Sequence, residues 1–158
     1  MLNRLFPARL NNNYRGMRRA LWLFVPIVVM RIAISLLHIV SADGGAQSIS
    51  TIPLDSYSGG AAQNVIALIA RLGLEQLLLG ILAVVALVRY RAMLPLLYAV
   101  AVSHDLAIEA IARFKPLALA GTSGARAPAL LLMGFAIVGL VLSLIGKRYR
   151  TTERVVGA

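Results

Sequence analysis

The sequence predicts an all-α integral membrane bundle of four transmembrane helices with both termini in the cytoplasm. Three observations lead to this prediction: an apolar composition, four long apolar runs and a one-sided distribution of cations. Hydrophobic residues make up 59% of the 158-residue chain and charged residues only 14%, and the mean hydropathy is +0.82. Soluble domains carry roughly 25% charged residues. Because so few charges cannot cover a water-facing surface, the outer surface is expected to contact lipid.

A basic arm, residues 1–19, precedes the first apolar run. The arm carries five arginines with leucines and aromatic residues between them, so it is expected either to lie along the lipid headgroups or to form a short solvated tail. The first run, about residues 20–42, is long enough to cross a hydrocarbon layer of ~30 Å. It exceeds the roughly 7–15 apolar residues of a signal peptide and contains Arg31 and His38. A retained transmembrane helix is therefore predicted.

Three further runs complete the predicted bundle. A Gly/Ser-rich loop, residues 43–60, leads to the second run at about 62–88. The third run covers about 94–114 and the fourth about 128–146. A basic tail, residues 147–158, follows the last run. The transmembrane domain is thus expected to extend over residues 20–146, with four crossings of the bilayer.

The cations outside the apolar runs predict the orientation. The arm, the short loop at 89–93 and the tail together hold eleven Lys or Arg residues, whereas the other two loops hold only Lys115 and Arg126. The positive-inside rule places the cation-rich segments in the cytoplasm. The net charge of +10 is explained by these anchors, so no nucleic-acid partner is expected. The predicted location is the inner membrane of a bacterium.

Eight ionisable side chains within the apolar runs form the candidate polar site. A charge at mid-membrane costs about 2.5–3.5 kcal/mol, so such residues are expected to face inward and find partners. Helical spacing places them on one stripe of each of the first three helices. Depths measured at ~1.5 Å per residue from the cytoplasmic ends predict a pair between Arg31 and Asp105 and a group of four containing Glu75 and Glu109 with Arg71 and Arg113. The candidate residues are Arg31, His38, Arg71, Glu75, His104, Asp105, Glu109 and Arg113.

Two interpretations of these residues remain open. They can be ion pairs that fix the register of the helices, since polar side chains hold helices together in lipid. Alternatively, they can line an outward-facing cavity in which His104, Asp105 and Glu109 handle protons or bind a quinone or a lipid. No cofactor is predicted, and haem is disfavoured because His38 lies about 10 Å from His104 in depth. No metal or catalytic motif is present, so the sequence assigns neither a catalytic residue nor an enzymatic activity.

Three segments resemble the DoxX-like group of small bacterial four-helix membrane proteins. They are RIAISLLH at 31–38, GLEQLLLG at 73–80 and LVRYR at 87–91, which together cover less than half of the chain. The resemblance implies an accessory or scaffold subunit of a larger membrane complex, in some cases one linked to quinone or redox complexes. It implies no catalytic residue. The expected partners are the lipid bilayer and other membrane protein subunits.

Overall fold

A computed structural model describes residues 2–145, and within that range the chain is helical with no β-strand. Four of its helices are long and apolar enough to cross a membrane. The predicted basic tail, 147–158, lies outside the described residues. The helices are α1 (Leu2–Leu5), α2 (Arg18–Val40), α3 (Gly59–Arg89), α4 (Leu94–Phe114) and α5 (Arg126–Leu144), with 3-10 turns at Leu54–Ser56 and Arg91–Met93.

The four long helices occupy the four predicted apolar runs, with boundaries displaced by up to three residues. The largest displacement is at the start of α3, which includes Gly59 although the apolar run begins at about residue 62. The side chain of Ser58 accepts a hydrogen bond from the backbone N–H of Ala61. Such an N-cap satisfies an amide that has no partner within the helix, so the helix begins ahead of its apolar segment.

The helices pack in the spatial order α3, α2, α5, α4. Helix α2 packs along both α3 and α5, and α5 also packs along α4. Helices α3 and α4 follow one another in the sequence but make few contacts with each other. They therefore form the two edges of the bundle, and each has a long face that no other described helix covers.

Two glycines determine which face of α3 packs on α2. A Cβ atom at Gly73 would lie 2.7 Å from Cβ of His38, and one at Gly80 would lie 2.8 Å from Cγ1 of Ile32. The two glycines are seven residues apart and so lie on the same face of the helix. Small residues allow helix backbones to approach closely, so this face, rather than the charged one, contacts α2.

Tyr98 joins α4 to α2 and to α5. Its ring packs edge-on against Phe24 with 4.9 Å between the ring centroids, and its hydroxyl donates a 2.6 Å hydrogen bond to the carbonyl oxygen of Ala20. On the opposite side the ring lies over Gly139, where a Cβ atom would come within 2.2 Å of Cζ. The fully buried Tyr98 therefore fixes both the rotation and the height of α4.

The two long loops meet at one end of the bundle. The carboxylate of Asp43 accepts backbone hydrogen bonds within its own loop, chiefly from Ser48, and these lower the pKa of Asp43 to about 2. The carbonyl oxygen of Thr51 accepts a hydrogen bond from the backbone of Ala120, and the Thr51 hydroxyl donates to the carbonyl oxygen of Gly121. These hydrogen bonds thus join the loop that follows α2 to the loop that follows α4.

Candidate functional site

Three of the eight predicted site residues form one cluster between α2 and α4. Nη2 of Arg31 lies 2.8 Å from Oδ1 of Asp105, which is the contact predicted from their matching depths. Nδ1 of His104 lies 3.1 Å from the same carboxylate oxygen. The side chains of Arg31, Asp105 and His104 are 27%, 22% and 34% exposed. One anion is therefore contacted by a guanidinium group and an imidazole in a half-buried position.

The packing of α4 explains why Asp105 faces Arg31. Asp105 follows Tyr98 by seven residues, so the two side chains share a face of α4, and Tyr98 holds that face against α2 through Ala20. On α2 the hydroxyl of Ser35 donates a 2.6 Å hydrogen bond to the carbonyl oxygen of Arg31. The side chain of Ser35 is fully buried. The cluster is thus positioned by the core rather than by loops.

His38 lies outside this cluster. Its Nδ1 is 2.6 Å from the carbonyl oxygen of Gly44, and because a carbonyl can only accept, Nδ1 carries the proton. Gly44 has a φ of +61°, a left-handed conformation that glycine adopts readily. The hydrogen bond joins the end of α2 to the loop that follows it, so His38 has a structural role in this arrangement.

The prediction that Arg71 and Glu75 face inward is wrong. Both side chains are exposed on the side of α3 opposite Gly73 and Gly80. The physical reason is steric, since the glycine face allows α3 to approach α2 more closely than a charged face would. The glycines were a visible signal in the sequence, and their seven-residue spacing marks the buried face more reliably than the charges do.

The predicted four-charge group is not formed within the chain. Glu109 and Arg113 are exposed on α4, and among residues 2–145 no ion pair within 4.0 Å joins them to Arg71 or Glu75. The reason is the packing of the helices, because α3 packs chiefly on α2 and α4 chiefly on α5, with few contacts between α3 and α4. Matching depth therefore placed these charges in one layer but could not place them side by side.

Two cavities lie near polar side chains. A small recess between α4 and α5, the α4–α5 recess, has a volume of about 100 Å³ and includes Asp105 and Glu109 in its wall. The arm cavity, about 360 Å³, lies beneath the N-terminal arm. The sequence predicted the arginines of the N-terminal arm to be topological anchors, and it did not predict this cavity. Its wall includes Arg4, Arg9, Tyr14, Arg15 and Ser143.

The chemistry available to the candidate site is limited. Among residues 2–145, no group of three or more His, Asp and Glu side chains is placed to hold a metal ion. No protein-family model matches the chain, and no curated protein or solved structure matches it. The function must therefore be argued from the charged residues and from the faces of the helices that carry them.

Proposed function

We propose that this protein is a small multi-pass inner-membrane subunit that assembles with other protein chains, as an accessory or scaffold component of a larger membrane complex. The observation that carries the proposal is the outward position of four charged side chains at the two edges of the bundle. Arg71 and Glu75 lie on the uncovered face of α3, and Glu109 and Arg113 are exposed near the end of α4, where Glu109 also borders the α4–α5 recess. All four lie within helices of membrane-spanning length.

The cost of exposing these charges to lipid supports the proposal. Glu75 lies 14 residues from the end of α3 at Arg89, or about 21 Å into a hydrocarbon layer of ~30 Å. A charge at mid-membrane costs about 2.5–3.5 kcal/mol when lipid surrounds it, and Glu75 and Glu109 lie closer to mid-membrane than Arg71 and Arg113 do. Another protein surface lowers that cost by supplying an opposite charge or a hydrogen bond. A partner chain on these faces is thus the simplest way to stabilise the bundle in a bilayer.

The ends of the helices support a cytoplasmic position for both termini. Arg18 at the start of α2 and Arg89 at the end of α3 belong to the cation-rich segments, whereas Asp43 and Asp55 lie in the loop between these helices. This asymmetry follows the positive-inside rule. The resemblance to the DoxX-like group favours the same kind of accessory subunit in a bacterial inner membrane.

A carrier or enzyme that binds a quinone or a lipid is the second candidate. It is favoured by the α4–α5 recess, where Asp105 and Glu109 face one small space. Ligand sites usually measure roughly 300–1,000 Å³, and this recess, at about 100 Å³, is smaller. The assembly role therefore agrees better with the size of this recess.

Native gel electrophoresis of membranes at natural expression tests the proposal on α4. We expect the wild-type chain to migrate within a larger complex, and the double variant Glu109→Gln/Arg113→Gln to lose part or all of that assembly. Lys115→Gln is the matched control, since Lys115 is an exposed cation immediately beyond α4. Migration of all three proteins at the size of a single chain would overturn the proposed function. An unchanged complex in the double variant would contradict the role given to the α4 charges.

A further inference from the structure

The uncovered face of α3 carries a continuous stripe of residues from Asn64 to Arg89. These residues are spaced at alternating intervals of four and three positions, which keeps them on one face of the helix. Half of them are apolar and half are polar or charged. All of these residues are exposed in the single chain. We call this surface the α3 seam: Asn64, Leu68, Arg71, Glu75, Leu78, Leu82, Val85 and Arg89.

The α3 seam is not used for packing inside the bundle. Packing of α3 on α2 uses the face of Gly73 and Gly80, both of which are buried. The α3 seam lies on the opposite side, with Leu78 and Leu82 at 59% and 47% exposure. The α3 seam therefore leaves apolar side chains on either side of Arg71 and Glu75 open to a partner.

The charges on the α3 seam are complementary to a copy of themselves. Arg71 and Glu75 are one helical turn apart, and they are flanked by Leu68 on one side and Leu78 on the other. Two copies related by a two-fold axis along the membrane normal have parallel α3 helices with matching levels. Arg71 of each copy can then reach Glu75 of the other, which gives two cations and two anions on adjacent turns of the interface.

We propose that the α3 seam is the interface of a homodimer, with a second copy of this chain as the occupant. The inference rests on the proposed membrane assembly and deepens it by naming one partner. A symmetric pair satisfies both charges with no requirement on any other sequence, whereas a different chain would need an acid and a base at the same two levels. The α4 charges then remain available to another subunit.

Cysteine cross-linking in intact membranes tests the interface directly, because the sequence contains no cysteine. Leu82→Cys lies in the α3 seam, and Ile81→Cys is the matched control. The side chains of Leu82 and Ile81 are 47% and 49% exposed, but they point about 100° apart around the helix. Equivalent seam residues of a parallel pair approach to the roughly 4.4–6.8 Å between Cα atoms that a disulfide spans. We expect oxidation to convert most of the L82C protein to a dimer and to leave I81C largely monomeric.

A charge exchange on the L82C background tests the role of the ionic residues. Arg71→Glu places acids against acids and is expected to abolish the cross-linked dimer. Adding Glu75→Arg restores opposite charges and is expected to restore the cross-link. Because recovery requires a folded chain, it separates loss of the interface from loss of folding. Failure of the second substitution to restore the dimer would contradict the proposed pairing.

The remaining outcomes distinguish this inference from the proposed function. Equal dimer yields for L82C and I81C, or a cross-link from L82C to a different chain, would overturn self-association through the α3 seam. If either result accompanied a larger complex on the native gel, the proposed function would stand without the homodimer. If no cross-link formed and the native gel showed only single chains, both would fail.

Discussion

Neutralising Asp105 removes the anion that contacts Arg31 and leaves a guanidinium group between α2 and α4. Removing one member of a buried ion pair costs about 3–5 kcal/mol. The amide oxygen introduced by Asp105→Asn can still accept one hydrogen bond, which contributes roughly 0.5–1.5 kcal/mol. We therefore expect Asp105→Asn to lower the free energy of unfolding by about 2–4 kcal/mol. Arg31→Met strands the carboxylate instead and is expected to have an effect of similar size.

The double variant Arg31→Met/Asp105→Asn measures the coupling between the two residues. Because neither charge is then stranded, we expect it to be more stable than the sum of the single effects predicts, by about 1–3 kcal/mol. The assay is equilibrium unfolding in mixed micelles of increasing denaturing-detergent fraction, followed by helical circular dichroism. His104→Ala is the control and is expected to change stability by about 1 kcal/mol or less. Additive single effects, or single variants as stable as the parent, would refute the pair.

Three further results are expected from the packing and the loops. Gly139→Leu should destabilise the fold by about 1–3 kcal/mol because it forces Tyr98 from its position. Gly134→Leu meets open space and should be tolerated. Equal stability of the two variants in the unfolding assay would refute the close approach of Tyr98 to Gly139. Tyr98→Phe should lower the unfolding free energy by about 0.5–1.5 kcal/mol, since it removes the hydroxyl group that donates to the carbonyl oxygen of Ala20. The Asp43 carboxyl should titrate by NMR near pH 2 rather than 3.8. Its contribution to loop stability is therefore complete above pH 3.8 and disappears as the pH falls through about 2. A titration midpoint near 3.8 would contradict the hydrogen bonds from the backbone amides.

The positions of the helices could be predicted because length and hydropathy determine them locally. The third apolar run, 94–114, has the same bounds as α4. Helix α3 begins early behind the cap of Ser58, and α2 and α5 each begin and end two residues before the predicted runs. The neighbours of each helix could not be predicted in this way. Hydropathy does not show that α2 separates α3 from α4, because that order arises from which faces pack closely.

For the charged residues too, the depth along each helix could be predicted, but the neighbouring helix could not. Depth along the helix was sufficient to match Arg31 with Asp105, because Tyr98 happens to direct that face of α4 towards α2. The same reasoning failed for Glu75, which it directed inward, because Gly73 presents the opposite face of α3 to the bundle. Balanced charges at equal depth indicate a shared layer, but a stripe of small residues determines which side of the helix is buried.

Native mass spectrometry of the protein, released gently from its own membrane at natural abundance, tests the central claim most directly. The claim is that other protein chains cover the charged outer faces of α3 and α4. We expect no appreciable single-chain species, and instead a complex whose mass contains at least two copies of this chain, alone or with further subunits. A single chain that retains one defined small molecule would contradict the claim and would favour the carrier interpretation.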